Sequence, residues 1–179
     1  MWRANWCLKQ CVGTGLLLHV CVSCSAATGQ TSQTGAFLMD PANNCKIWNP
    51  HPMAGETVRW SGNCVDGLAQ GSGTLQWLRG GKLSETDRGE WKEGRQSGHG
   101  TQDWFTGRYE GELFNGEPNG RGIMTLHNTR YEGEFLNGKP EGEGTVANLE
   151  GIFRGKWKEG CRVDGGRKIA FGVSPTTCR

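Results

Sequence analysis

Apolar and charged positions alternate along Tyr131-Glu132-Gly133-Glu134-Phe135. In an extended strand Tyr131, Gly133 and Phe135 therefore share one face and both glutamates the other. Asn137-Gly138 follows, a pair that tolerates positive φ and marks a tight hairpin turn. Gly142-Glu143-Gly144-Thr145-Val146 then opens a return strand. The pattern predicts a β-hairpin with one aromatic face, and it recurs. Gly89-Glu90-Trp91, Gly111-Glu112-Leu113, Gly133-Glu134-Phe135 and Gly155-Lys156-Trp157 repeat the frame every 22 residues. Each is followed by a turn glycine (Gly94, Gly116, Gly138, Gly160), then by Gly98/Gly100, Gly120/Gly122 and Gly142/Gly144. A degenerate copy, Gly62, Gly67, Gly71 and Gly73, lies upstream at an offset of 27, and the last copy has Asp164 in place of one glycine, keeping Gly166.

A lone hairpin is marginal in water, so the units must pair edge to edge to bury their aromatic faces. The predicted fold is all-β: an elongated single-layer antiparallel sheet of stacked β-hairpin repeats. The array is expected over 58–166, as units at about 58–86, 87–108, 109–130, 131–152 and 153–166. The shared face carries Trp60, Trp91, Tyr109, Tyr131, Phe135, Phe153 and Trp157. Residues 28–57 read as a polar spacer and N-terminal cap, in which Trp48 is expected on the first hairpin, and 167–179 as a closing strand. Gly makes up 30 of 179 residues against 6 Pro, so the glycine excess is periodic and not low-complexity filler.

Tyr109-Glu110-Gly111-Glu112 with Asn115-Gly116 and Gly120-Arg121-Gly122 resembles the membrane occupation and recognition nexus (MORN) repeat. Tyr131-Glu132-Gly133-Glu134-Phe135 with Asn137-Gly138-Lys139 and Gly142-Glu143-Gly144 resembles it equally. The units near Asp87 and Phe153 match in part, because those residues stand where the leading tyrosine belongs, and the unit at Trp60 matches only in its glycines. The resemblance implies a non-catalytic module that presents surface to a protein partner, to itself or to a membrane.

Residues 1–27 form a different object. Arg3 and Lys9 precede an apolar stretch from Val12 to Cys24, and Ser25-Ala26-Ala27 offers small residues for cleavage. This is a secretory signal-peptide pattern, which implies a periplasmic or secreted protein; a lipoprotein anchored through Cys24 is the minor alternative. Its removal leaves Cys45, Cys64, Cys161 and Cys178, an even number suited to an oxidising compartment. Four cysteines allow three pairings. Proximity favours Cys45 with Cys64 and Cys161 with Cys178, which would staple both ends of the array.

Loss of Arg3 and Lys9 also balances the charge, leaving 18 basic against 18 acidic residues. That excludes a generally nucleic-acid-binding surface. From Asp103 to Glu150 there are nine acids and four bases, whereas from Gly151 onward there are two acids and seven bases. Arg154, Lys156 and Lys158 alternate on one strand, a candidate contact for an anionic membrane surface or simply a solvated face.

No catalytic residue, cofactor site or metal site is expected. His51, His99 and His127 stand in no nucleophile or metal spacing, and no phosphate-loop string occurs. Glu110/Glu112 and Glu132/Glu134 recur because the repeat recurs and face solvent instead of converging in a cleft. The expected function is an exported scaffold for a protein partner or for self-association. A peripheral membrane binder and a carbohydrate-binding envelope protein are the alternatives.

Overall fold

The structure, a computed structural model, describes residues 35–164 and 166–178. The expected leader, with the alternative anchor at Cys24, lies outside the described residues. Among the described residues thirteen strands follow one another: β1 (Ala36–Met39), β2 (Lys46–Asn49), β3 (Glu56–Val65), β4 (Leu68–Arg79), β5 (Lys82–Lys92), β6 (Arg95–Trp104), β7 (Gly107–Phe114), β8 (Glu117–Leu126), β9 (Thr129–Leu136), β10 (Lys139–Asn148), β11 (Gly151–Trp157), β12 (Cys161–Asp164) and β13 (Arg167–Ala170). From β3 to β11 the sheet is an uninterrupted antiparallel meander in which every strand pairs with its chain neighbour. β2 joins its start through one parallel pair, Lys46 with Leu68, and β1 pairs with β2.

The hairpin turns follow from the dipeptides that close them. Asp66-Gly67, Glu93-Gly94, Asn115-Gly116, Asn137-Gly138 and Glu159-Gly160 all have positive φ at both residues, the conformation whose twist matches the flanking strands. Each Gly-x-Gly then divides its labour. Gly142 has φ of 69° beside a shift in the β9–β10 register, so it forms a bulge. Gly144 is extended and lies under the Tyr131 ring.

The second glycines belong to a longer row. Gly62, Gly73, Gly89, Gly100, Gly111, Gly122, Gly133, Gly144 and Gly155 stand opposite one another through every strand from β3 to β11. This row is the floor on which the large rings lie. Trp60 in the first unit, Tyr109 in the third and Tyr131 in the fourth each cover glycines of the row. Each also donates to the carbonyl three residues on: Trp60 Nε1 to Asn63 at 3.0 Å, Tyr109 Oη to Glu112 at 2.6 Å and Tyr131 Oη to Glu134 at 3.1 Å.

Two apolar cores form on the inner face, one at each end. The N-terminal core joins Cys45, Ile47, Val58, Trp60, Ala69, Leu75, Trp77 and Trp91, so β2 covers the first hairpin. The C-terminal core joins Tyr109, Leu113, Met124, Tyr131, Phe135, Val146 and Trp157 to Ile169 and Phe171 from beyond the sheet. Disulfides Cys45–Cys64 and Cys161–Cys178 fasten the two coverings.

Among the described residues the main sheet ends at Trp157, and the closing segment supplies β13, which pairs with β12 in a separate two-stranded sheet. The segment folds over the inner face, where Phe171 stacks on Tyr131 with ring centroids 5.5 Å apart. Burial of Ile169 and Phe171 outweighs one more edge pairing, because a single-layer sheet otherwise leaves that face wet. Trp48, expected on the first hairpin, reaches the second. It meets Phe37 edge-on at 5.2 Å, carries the Arg95 guanidinium 3.9 Å from its ring centroid, and donates its backbone N–H to Gly94, the turn of the second hairpin.

Candidate interaction groove

Every unit places residues at equivalent positions, so a departure from the frame is visible at once. At the ring position stand Tyr109, Tyr131 and Phe153, but the second unit has Asp87. Where β8 and β10 have Pro118 and Pro140, β6 has Gln96; where they have Met124 and Val146, it has Gln102. Glu85 occupies the position of Gly107, Thr129 and Gly151. All four changes put polar groups on the inner face, in the interval between the two apolar cores.

Cross-strand register fixes their surroundings. On β5 Glu85 lies opposite Trp77 of β4 and Trp104 of β6, and Asp87 lies opposite Leu75 and Gln102. The five-residue lengthening of the first repeat, the difference between offsets of 27 and 22, extends β4 and β5 past the frame as the pairs Leu78–Leu83 and Arg79–Lys82, while Trp77–Glu85 stands where Trp104–Gly107 and Leu126–Thr129 stand in later hairpins. These residues line a groove of about 550 Å³ together with Trp48, Trp91 and Gln96. The imidazole Nε2 of His51 stands 2.8 Å from Glu117 Oε1, tying the cap loop to β8 at the rim. Phe105, also at the rim, is 99% exposed.

The polar network is only partly satisfied. Gln102 Nε2 donates to Gln96 Oε1 at 3.1 Å and to the Gly116 carbonyl at 2.9 Å, while Gln96 Nε2 donates to the Arg88 carbonyl at 3.2 Å. Trp77 Nε1 donates to Asp87 Oδ2 at 2.7 Å. Asp87 is 3% exposed, and with both carboxyls ionised no donor reaches its Oδ1. Burial raises the Asp87 carboxyl well above the ordinary range, and the neighbouring Glu85 charge raises it further. Burial likewise raises Glu85. Among the described residues the nearby cation, Arg79, pairs with Glu56 at 3.3 Å and not with either of these.

The structure distributes the expected site residues between core and surface. Trp60, Trp91, Tyr109, Tyr131, Phe135 and Trp157 are buried and Phe153 is half-buried beneath Arg167, so the aromatic row is the packed interior and not an open face. Of the row only Trp91 borders the groove. Burial, reinforced by the Glu112 and Glu134 carboxylates, raises the phenols of Tyr109 and Tyr131 and keeps them neutral. Arg154, Lys156 and Lys158 are exposed and border two different depressions. Arg154 lines an outer furrow with Glu132, Glu134 and Glu143, whereas Lys156 and Lys158 border a depression with Lys139. Strand alternation alone does not single out Glu85, Asp87, Gln96 or Gln102. Superposing the units at their 22-residue offset does, because only then do four polar residues appear at apolar or small positions.

The family model of the MORN repeat matches residues 60–82, 88–107, 109–128 and 131–146. The chain is a MORN-repeat protein, of a kind generally engaged in protein or membrane interactions. No curated protein matches the chain.

Proposed function

We propose that this MORN-repeat protein is an exported, non-catalytic interaction module that receives a protein partner in the groove of its first two repeats. One observation carries the reading. In a frame that otherwise supplies small, tyrosine, proline and apolar residues, the end of the first unit and the second unit gather Glu85, Asp87, Gln96 and Gln102 among Trp48, Trp77, Trp91 and Trp104. Aromatic walls with a few convergent polar groups are the usual composition of a binding site. Polar groups that offend local packing without stabilising it point to function. Export is supported by the two disulfides and by the leader pattern of 1–27.

A photo-crosslinking residue at position 105, on the groove rim, tests the reading in the native compartment. It is expected to yield a stoichiometric protein adduct, while the same residue at the equally exposed position 149, at the other end of the array, yields none. Equal labelling from both positions, or lipid as the adduct at 105, would remove the groove from the reading.

A membrane reading draws on a separate observation, the depression bordered by Lys139, Lys156 and Lys158. It is the weaker of the two, because Lys156 stands opposite Glu143 across the β10–β11 pair and the furrow that Arg154 borders is lined by four glutamates against two arginines.

A further inference from the structure

Building on the groove as the partner site, we propose that Glu85 and Asp87 form the receptor for a guanidinium group, the arginine side chain of an extended partner segment. The acidic pair does not stand by its charge alone. Asp87 Oδ1 is a buried acceptor without a donor while both carboxyls are ionised, and the Asp87 residue lines a space of about 550 Å³. Asp87 Oδ2 is already held by the indole of Trp77, so the free valence of this carboxyl is directed and single. The adjoining Glu85 carboxyl supplies a second acceptor two residues away on the same strand face. A guanidinium offers several N–H donors in one plane and can engage two acceptors at once; an ammonium has no such plane.

The walls select the same chemistry. Trp77 and Trp104 flank Glu85 on the two adjoining strands, and a planar cation between indoles gains stacking and cation–π attraction. The protein already performs this recognition at the groove's edge, where the Arg95 guanidinium lies 3.9 Å from the ring centroid of Trp48. Arg79 does not fill the role, since its guanidinium goes to Glu56. Entry of an arginine would pair both carboxylates and remove the isolated buried charge, which is otherwise costly.

An extended segment fits the groove better than a free small molecule. The space is open along one side, and large apolar side chains stand bare at its rim: Phe105 at 99% and Met53 at 51% exposure. Residues flanking the inserted arginine would cover them, which isolated arginine could not do. Bare rings at a rim are the feature that interface residues commonly bury.

The test uses the disulfide-intact protein and the indole fluorescence of the groove. The probe is acetyl-Leu-Gly-Arg-Gly-Leu-amide, compared with the same peptide carrying citrulline, a neutral near-isostere of arginine. The arginine peptide is expected to bind saturably and at least tenfold more tightly than the citrulline peptide. Asp87→Asn keeps an acceptor for Trp77 and Glu85→Gln keeps the shape, yet each is expected to weaken the arginine peptide at least tenfold. Glu150→Gln, far along the array, should leave it unchanged. A single cooperative melting transition, whatever its midpoint, would show that the variants fold. Should they not fold, the comparison of arginine with citrulline on the unaltered protein still decides.

Equal binding of the two peptides, undiminished binding to both variants, or no binding of the arginine peptide to the folded protein would each overturn the proposal. Crosslinks mapped to position 105 alongside such a failure would leave the interaction reading standing and sink only the guanidinium. Arginine binding without a crosslinked partner would do the reverse.

Discussion

Tyr131 lies across Gly144 of the neighbouring strand, so that a methyl group on that glycine would stand 2.5 Å from the ring's Cζ. The backbone at Gly144 is ordinary extended strand, so the need for glycine there is steric and owes nothing to φ. Gly138 is the converse: its φ is 75° and nothing lies within 4 Å of a built Cβ. Gly144→Ala is therefore expected to displace the ring and cost about 1–3 kcal/mol as overpacking. Gly138→Ala should cost on the order of 1 kcal/mol through backbone strain alone. Urea unfolding of both variants checks the order. Adding Tyr131→Ala should abolish most of the Gly144→Ala penalty and leave the Gly138→Ala penalty intact.

The ring itself does two jobs that can be separated. Tyr109 and Tyr131 are fully buried, and each hydroxyl donates to a backbone carbonyl three residues on. Tyr→Phe should cost about 0.5–1.5 kcal/mol for the lost hydrogen bond. Tyr→Ala should cost about 3–5 kcal/mol, judged from other aromatic truncations. Near-equal losses in chemical denaturation would mean that the hydroxyl, and not the ring, organises the unit.

How much of this was legible in the chain depends on what repeats. The hairpins, the turns and the aromatic row were legible because each recurs, so that Tyr131, Asn137-Gly138 and Phe135 make the same statement as their equivalents in neighbouring units. The glycine row was half legible: Gly133 and Gly144 stand in different motifs of one unit, and only the pairing register aligns them. Trp48 and the 167–179 segment occur once, with no period to place them, and there a local pattern cannot tell an edge strand from one folded over a face. The groove was hidden for a different reason. Asp87 reads as a flaw in a repeat until Glu85, Gln96 and Gln102 are seen to fail the same frame on the same face.

The disulfides should act at the ends. Cys45–Cys64 and Cys161–Cys178 close spans of 19 and 17 residues, which the chain-entropy model values at about 3 kcal/mol each. Replacing Cys161 and Cys178 by serine should release Ile169 and Phe171 from the inner face and raise hydrogen exchange in β10 and β11 before β3 and β4. The Cys45/Cys64 replacement should invert that order. If the protein is exported, intact mass should show loss of 1–27 and four fewer hydrogens than the reduced mature chain.

The acidic neighbours of these cations make a clear forecast for membranes. Because Arg154 borders a furrow lined by four glutamates, and Lys156 stands opposite Glu143, reversing all three of Arg154, Lys156 and Lys158 to glutamate should change little in vesicle sedimentation at physiological salt. Strong binding to anionic vesicles that this change abolishes, and that fades as salt shortens the Debye length toward about 3 Å, would favour the membrane reading over the groove.

The groove also predicts an unusual dependence of stability on pH. The Asp87 carboxyl is raised by burial, then by Glu85 and, more distantly, by Asp103, while Glu85 is raised by burial and by Glu56. A carboxyl whose affinity for a proton is higher in the folded than in the unfolded chain stabilises the fold below its ordinary range. That contribution is lost as pH rises from the ordinary carboxylate range through the raised folded value. The sign is opposite to that of a carboxylate held by a salt bridge. Asp87→Asn imitates the protonated form permanently and keeps an acceptor for the Trp77 indole. Its melting temperature should therefore match the parent protein at about pH 4, near the ordinary carboxyl range. It should exceed the parent by a margin that widens toward alkaline pH. A variant more stable than its parent would mean that Asp87 is retained at the expense of the fold, as expected of a residue kept for binding. If Asp87→Asn instead melts lower at every pH, the carboxylate is a structural partner of Trp77, and the groove loses its chief mark as a site.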